Sequence, residues 1–552
     1  MFKEWISKLL GLTTALLWLF TLGFLFTFPR SFFTLLSPVA RWWCKFVGYS
    51  QGDTVAFLSY LHKSAYKTLL LIAFGFSVYV LLFFVGKTRT KDGEKPESVD
   101  LFHWSKRECY LLCVVMAVAA SIRLYGSGRG LTYDELFTAF KFVETPSFWH
   151  TISSYIVFNN HVFYSFLARC VWLLGGRSEV LLRLPSILAG TLTIPIFWYF
   201  IRRRSTGFVA AISAIVLALH PMHVVLSRSA RGYSLLALGA VLSTVFFSEL
   251  LRRSNSFYFL AYVITASLMV WSHLYGVVVV FCQVFCLLFL CWRKELSTSI
   301  FQQTWLSFGL AGLATIFLYA PVFPLLLLEL GREKKGLVDS SFPQRVMQQF
   351  LWTPSLVLAL IVSALFCLGF FSLWRKHNNP LFLFYTLAPT VMAWLIRARA
   401  VGFARFALFA LPWFLWLSIL GLEVILTFAV QKHRELLMLF LLLPMLLWWG
   451  AGALDSLDSS GFRQSVTAVP NDSQICALGG DAYLFEYYAA GRLIIPKNER
   501  EFRQLRKGKK ILYCVFHDVR WASSFHRQLF DEYGKDKKAR RFGDVVLFDI
   551  DN

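Results

Sequence analysis

The sequence predicts a mainly α, polytopic transmembrane helical bundle with a small C-terminal α/β extracytoplasmic domain. Three observations carry this. Apolar runs of membrane-crossing length recur along most of the chain, with short polar loops between them. Only 16% of the 552 residues are charged and 57% are hydrophobic, whereas a soluble chain carries about a quarter charged residues. From about Ala451 the pattern changes to short apolar strands that alternate with helical stretches.

In chain order, the apolar runs predict spans over 9–28, 66–86, 108–124, 179–201, 207–221, 232–250, 256–273, 274–292, 304–330, 351–374, 380–396, 403–425 and 435–450, about thirteen crossings. The first run is too long for a signal h-region and lacks a small-residue cleavage site, so it reads as a retained anchor. Residues 1–107 form an N-terminal hairpin and a polar loop, 108–450 a second membrane unit, and 451–552 the tail. Within the tail, ICALGG (475–480), KILYCVF (510–516) and DVVLFDI (544–550) predict strands. DAYLFEYYAAG, Glu499 to Lys507 and VRWASSFHRQLFDEY predict helices. The tail carries no GxGxxG and no P-loop, so it reads as a docking or acceptor-recognition domain.

Charge sets the topology. The clusters at Arg202 to Arg204, Arg252-Arg253, Arg293-Lys294, Arg375-Lys376 and Lys432 with Arg434 fall at every second loop, which marks one cytoplasmic face. The net charge of +23 therefore meets membrane lipids, and a nucleic-acid partner is not indicated. Residues 161–175 are apolar but short and carry Arg169, so they read as a juxtamembrane or partly inserted helix on the outer face. Loop 125–178 and the tail then lie outside. So do Arg228, Arg231, Arg397, Arg399 and Arg405, where the positive-inside rule disfavours them. The ten cysteines lie mostly inside apolar runs and read as small buried hydrophobes.

LTYDELFTAF (131–140) sets Asp134 and Glu135 side by side at the membrane edge. Two readings stand. The acids cap a helix that opens after Thr132, or one of them takes a proton from an attacking hydroxyl. Arg183, Arg231 and Arg405 fall near predicted outer helix ends, where a guanidinium fork suits a phosphate at headgroup depth. Taken singly, each equally fits snorkelling or a salt bridge. His220 and His223 stand three apart but lack a third ligand nearby in sequence, so no metal and no other cofactor is indicated. His273 near Tyr275 either lines a cavity or belongs to a hydrogen-bonded core pair.

YDE (133–135), the NNHxxYS-like run (159–165), RLPS (183–186) and the HPMHxxxSRSARGYS run (220–234) occur in an order that resembles the GT-C membrane glycosyltransferases. The likeness runs from about Cys109 to Leu426 and is strongest to the bacterial branch of protein O-mannosyltransferases and aminoarabinose transferases. Two departures stand out: Phe406 replaces a usual tyrosine, and His161 lacks the two prolines that often follow. The resemblance implies a polyprenyl-phosphate-linked sugar donor and a lipid, glycan or protein acceptor. It also implies an inverting transfer on the outer face of a bacterial inner membrane. Asp134 would be the base, with Glu135 orienting the acceptor or sharing a proton. Arg231 and Arg405 would hold the leaving phosphate, with Arg183, Arg228 and Arg399 as weaker candidates. His161, Tyr164, Tyr233 and His273 would contact substrate. Without the resemblance, a transporter of lipid-linked intermediates or an envelope scaffold would also fit many spans and outward arginines.

Overall fold

A computed structural model of the chain describes residues 29–47, 51–52, 54–59, 74–84, 105–155, 160–326, 342–352, 355–376, 404–430, 433–455, 461–479, 481–508, 513–517, 524–534 and 539–549. Among these, five helices are long and apolar enough to cross a membrane: Glu179–Arg202, Tyr233–Leu250, Val357–Arg375, Ala407–Ala429 and Arg434–Gly452. The chain is an integral membrane protein. The expected runs 9–28 and 380–396 lie outside the described residues, and 66–86 is described only over 74–84. The runs near 108–124, 256–273, 274–292 and 304–330 form helices at Lys106–Leu124, Ser256–Ser272, Gly276–Trp292 and Thr298–Tyr319.

Burial sorts the spans into layers. Of the Tyr233–Leu250 and Ala407–Ala429 windows, 78% is buried in protein, while Val357–Arg375 and Arg434–Gly452 are 11% and 17% buried. The first two are central, and the second two present Leu, Ile and Phe outward, as a lipid-facing helix does. Gly369 and Gly421 bring Leu356–Lys376 against Leu411–Ala429 so closely that a Cβ on either would overlap a backbone carbonyl of the other helix. The run at 207–221 continues past His220. Pro221 has no N–H to extend the ladder, and the chain bends by 56° into a second helix, Pro221–Ser227.

The expected cytoplasmic helix ends carry ion pairs: Arg202 with Glu108 at 2.6 Å, and Glu249 with both Arg203 and Arg253. Part of the basic clustering is therefore neutralised by protein.

The tail folds as a five-stranded sheet of order β2-β1-β3-β5-β4. Its strands are β1 (Ile475–Leu478), β2 (Leu493–Ile494), β3 (Tyr513–His517), β4 (Arg540–Phe542) and β5 (Val545–Asp549). β1 pairs in parallel with β2 and β3, while β5 runs antiparallel to β3 and β4. The three apolar strands are those the sequence predicts. The short edge strands β2 and β4 are not, because two or three half-exposed residues carry no apolar run. One face of the sheet does not face water. Phe462, Leu484, Phe485 and Val515 share a core with Leu131, Leu136, Ala139 and Val143, which follow the helix Lys106–Leu124.

Candidate active site

Thr132 adopts extended backbone, and its N–H donates to the Glu135 carboxylate three residues on, which starts the helix Tyr133–Thr138. The two acids then part company. Asp134 points outward, with 27% of its side chain exposed, whereas Glu135 is 1% exposed.

Glu135 is saturated. Its Oε1 accepts from Arg183 Nε at 2.8 Å and from the Ala230 N–H at 2.7 Å, and its Oε2 accepts from Arg183 Nη2 at 2.7 Å and from the Thr132 N–H at 2.8 Å. A carboxylate has about four such lone-pair positions, so none is left for an acceptor. Burial pushes its pKa up, but Arg183 and the two backbone donors more than offset this and hold it below the ordinary value. Glu135, expected to orient the acceptor or share a proton, is thus engaged by protein groups on every side.

Arg183 is equally committed. Two of its N–H groups go to Glu135, and the others reach the carbonyls of Ser127, Arg129 and Gly130 at 2.7, 2.8 and 3.2 Å. That uses all five guanidinium donors, so Arg183, expected as a weaker candidate at the donor phosphate, is engaged by protein groups here. The hydroxyl of Tyr164, expected to contact substrate, is fully buried and donates to the Leu182 carbonyl. Arg228 donates to the Ile122 carbonyl at 3.1 and 2.6 Å near the end of Lys106–Leu124. Arg399 lies outside the described residues.

Asp134, Arg405, Arg231, Tyr233, His161 and His273 do converge. Arg405, on the 3-10 turn Ala404–Ala410, meets Asp134 Oδ2 at 2.9 Å, with 31% of its side chain exposed. Its guanidinium also lies 5.5 Å from the centroid of the Tyr233 ring. The two side chains form an ion pair of opposite charges, partly exposed to solvent. Arg231 donates to Thr138 Oγ1 at 2.9 Å, so its guanidinium sits against the acid helix. The Ser186 hydroxyl donates to the Arg231 carbonyl at 2.7 Å. Gly232 follows, where a Cβ would meet the Ser272 carbonyl at 2.8 Å and His161 Cβ at 2.9 Å. His161 is centred 5.0 Å from both Tyr233 and His273. Burial, then Arg231 and His273, push its pKa well below the ordinary value, so it is neutral.

Thr138 and Ser186 are anchors for Arg231 that the sequence reading missed; Ser186 stands in the RLPS motif, but neither residue's partner is visible in the order of letters. The paired histidines take other partners. His223 Nδ1 lies 2.6 Å from Arg123 Nη2, and His220 Nε2 lies 2.8 Å from the Phe350 carbonyl. Among the described residues, no three His, Cys, Asp or Glu side chains are placed to share a metal.

The fold is of the GT-C type. Residues 159–323 match the family model described as dolichyl-phosphate-mannose-protein mannosyltransferase. That segment holds His161, Tyr233, Arg231 and His273, while Asp134 and Arg405 lie outside it. ArnT from Cupriavidus metallidurans has a similar structure. Its apo form aligns over 80% of this chain and 97% of that chain, with a TM-score of 0.51 at 12% identity. The same protein bound to undecaprenyl phosphate aligns over 81% and 98%, with a TM-score of 0.50 at 11% identity. At such identity the likeness establishes the fold. No curated protein matches the chain.

Proposed function

We propose that the chain transfers a sugar from a polyprenyl-phosphate-linked donor to an envelope lipid, glycan or protein, on the outer face of a bacterial inner membrane. The observation that carries the reading is the contact between Asp134 and Arg405, with Arg231 held against the same helix. It brings a partly exposed carboxylate and two cations together, which supports a base and a phosphate-binding pair at one site. The matched family segment and the ArnT fold, one of whose structures holds undecaprenyl phosphate, support the donor class.

The acceptor hydroxyl gives its proton to Asp134, and its oxygen attacks the anomeric carbon from the face opposite the phosphate. The bond from that carbon to the phosphate oxygen breaks, and the electron pair leaves with the lipid phosphate. Arg405 and Arg231 stabilise that developing charge. The donor phosphate competes with Asp134 for Arg405, so donor binding frees the carboxylate to act as a base. Tyr233, His161 and His273 wall the sugar position, and neutral His161 can accept or donate a hydrogen bond without adding charge.

The test uses purified protein in nanodiscs with a panel of labelled polyprenyl-phosphate sugars and envelope acceptors. Wild type should transfer sugar with inversion, and Arg405→Gln should raise the KM for donor. A wild type that moves no sugar from any donor sinks the reading.

A further inference from the structure

The tail domain is built into the floor beneath the acid helix. The Tyr488 hydroxyl accepts from the Leu131 N–H at 2.7 Å, one residue before the helix cap. The Tyr133 ring stacks on His517 of β3, with centroids 5.2 Å apart and planes 12° from parallel. On its other side, His517 packs against Phe462, 4.8 Å away. The Asp481 carboxylate faces the Tyr133 hydroxyl; burial first, and then this carboxylate, raise the tyrosine pKa. Farther along, Tyr483 and Tyr487 meet Phe140 edge-on, and Lys141 Nζ lies 4.6 Å from the Tyr483 ring centre.

These anchors alternate around one residue. The tail holds Leu131 and Tyr133, while the membrane unit holds Gly130 and Glu135 through Arg183. The backbone on both sides of Asp134 is fixed, and Asp134 itself faces outward. We propose that Tyr488 and His517 are positioning residues for Asp134, so that the tail completes the reaction centre as well as offering a surface for docking. A base displaced by about 1 Å can lose on the order of 100-fold in rate, whereas docking alone would act on acceptor affinity. The kinetic part rests on the function proposed above; the structural part does not.

Two measurements on the full-length protein test it. In the first, hydrogen exchange is followed by mass spectrometry on peptides covering residues 128–138. Tyr488→Phe, which loses only the hydroxyl, should speed exchange there by about fivefold to tenfold, as loss of one hydrogen bond does. His517→Leu should act likewise, and His517→Phe, which keeps a stacking ring, should restore protection. In the second, Tyr488→Phe and His517→Leu should lower kcat about tenfold or more and leave the KM for donor and for acceptor within about twofold. Unchanged protection in both variants overturns the proposal, as does a fall in kcat/KM that comes entirely from acceptor KM. Uniform loosening of the whole tail that His517→Phe fails to rescue also overturns it, because that marks a merely structural role. If exchange changes as expected but wild type transfers no sugar, the anchoring stands and the proposed function alone falls.

Discussion

Asp134 and Glu135 are adjacent in the chain but not in chemistry. Asp134→Asn keeps size and shape and removes the proton acceptor, so turnover should fall about 100-fold to 10,000-fold, with the melting temperature little changed. Arg183→Ala should do the reverse. It strands a fully buried carboxylate and should cost about 3–5 kcal/mol of stability, read as a large loss in melting temperature. His161 supplies a pH dependence. Its folded pKa lies below the unfolded one, so protons favour the unfolded chain. The stability it contributes is complete above about pH 6.5, and falls by at most about 1.4 kcal/mol per unit below that. Melting curves from pH 8 to 5 should show this slope, and His161→Phe should flatten it. The sequence named both acids and both readings of them, cap and base. The resemblance assigned Asp134 as base with Glu135 in support, but the saturation of Glu135 was not legible, because its partners come from positions 183 and 230, far along the chain.

At the scale of elements, the helices were legible wherever an apolar run was long, as at Glu179–Arg202 and Tyr233–Leu250. Less legible was what joins them. The 3-10 turn that carries Arg405 reads as the start of the next span, since Ala, Leu and Phe dominate it. That turn leads into Leu411–Ala429, whose depth is set by glycine contacts with Leu356–Lys376. Replacing Gly421 with Leu should force the pair apart at a cost of about 1–3 kcal/mol. It should also raise the KM for donor, because Arg405 moves with the helix. Unfolding and donor titration on one preparation would show whether the two effects travel together.

For the whole molecule, the composition announced a membrane bundle, and the shift after Ala451 announced a separate folding pattern. That the two share a core was not legible. Leu131 and Leu136 look like any other apolar residues near a membrane, yet they pack with Phe485 and Leu484 from more than three hundred positions later. Strand alternation shows that one sheet face is apolar, but not what covers it. Deleting residues after 460 should therefore leave an exposed apolar patch around Leu131 and Leu136 and a protein that aggregates. Size-exclusion profiles in detergent would show this directly.

The capping geometry has one more consequence, and it concerns spelling. Rewriting Asp134-Glu135 as Glu-Asp leaves composition, charge and hydropathy unchanged, and a pattern count would score the two chains as equals. The molecule would not. An aspartate at 135 falls one methylene short of Arg183 and the Thr132 N–H, while a glutamate at 134 overreaches toward Arg405. Two letters exchanged, with nothing added or removed, would undo the cap, the clamp and the Asp134–Arg405 pair together.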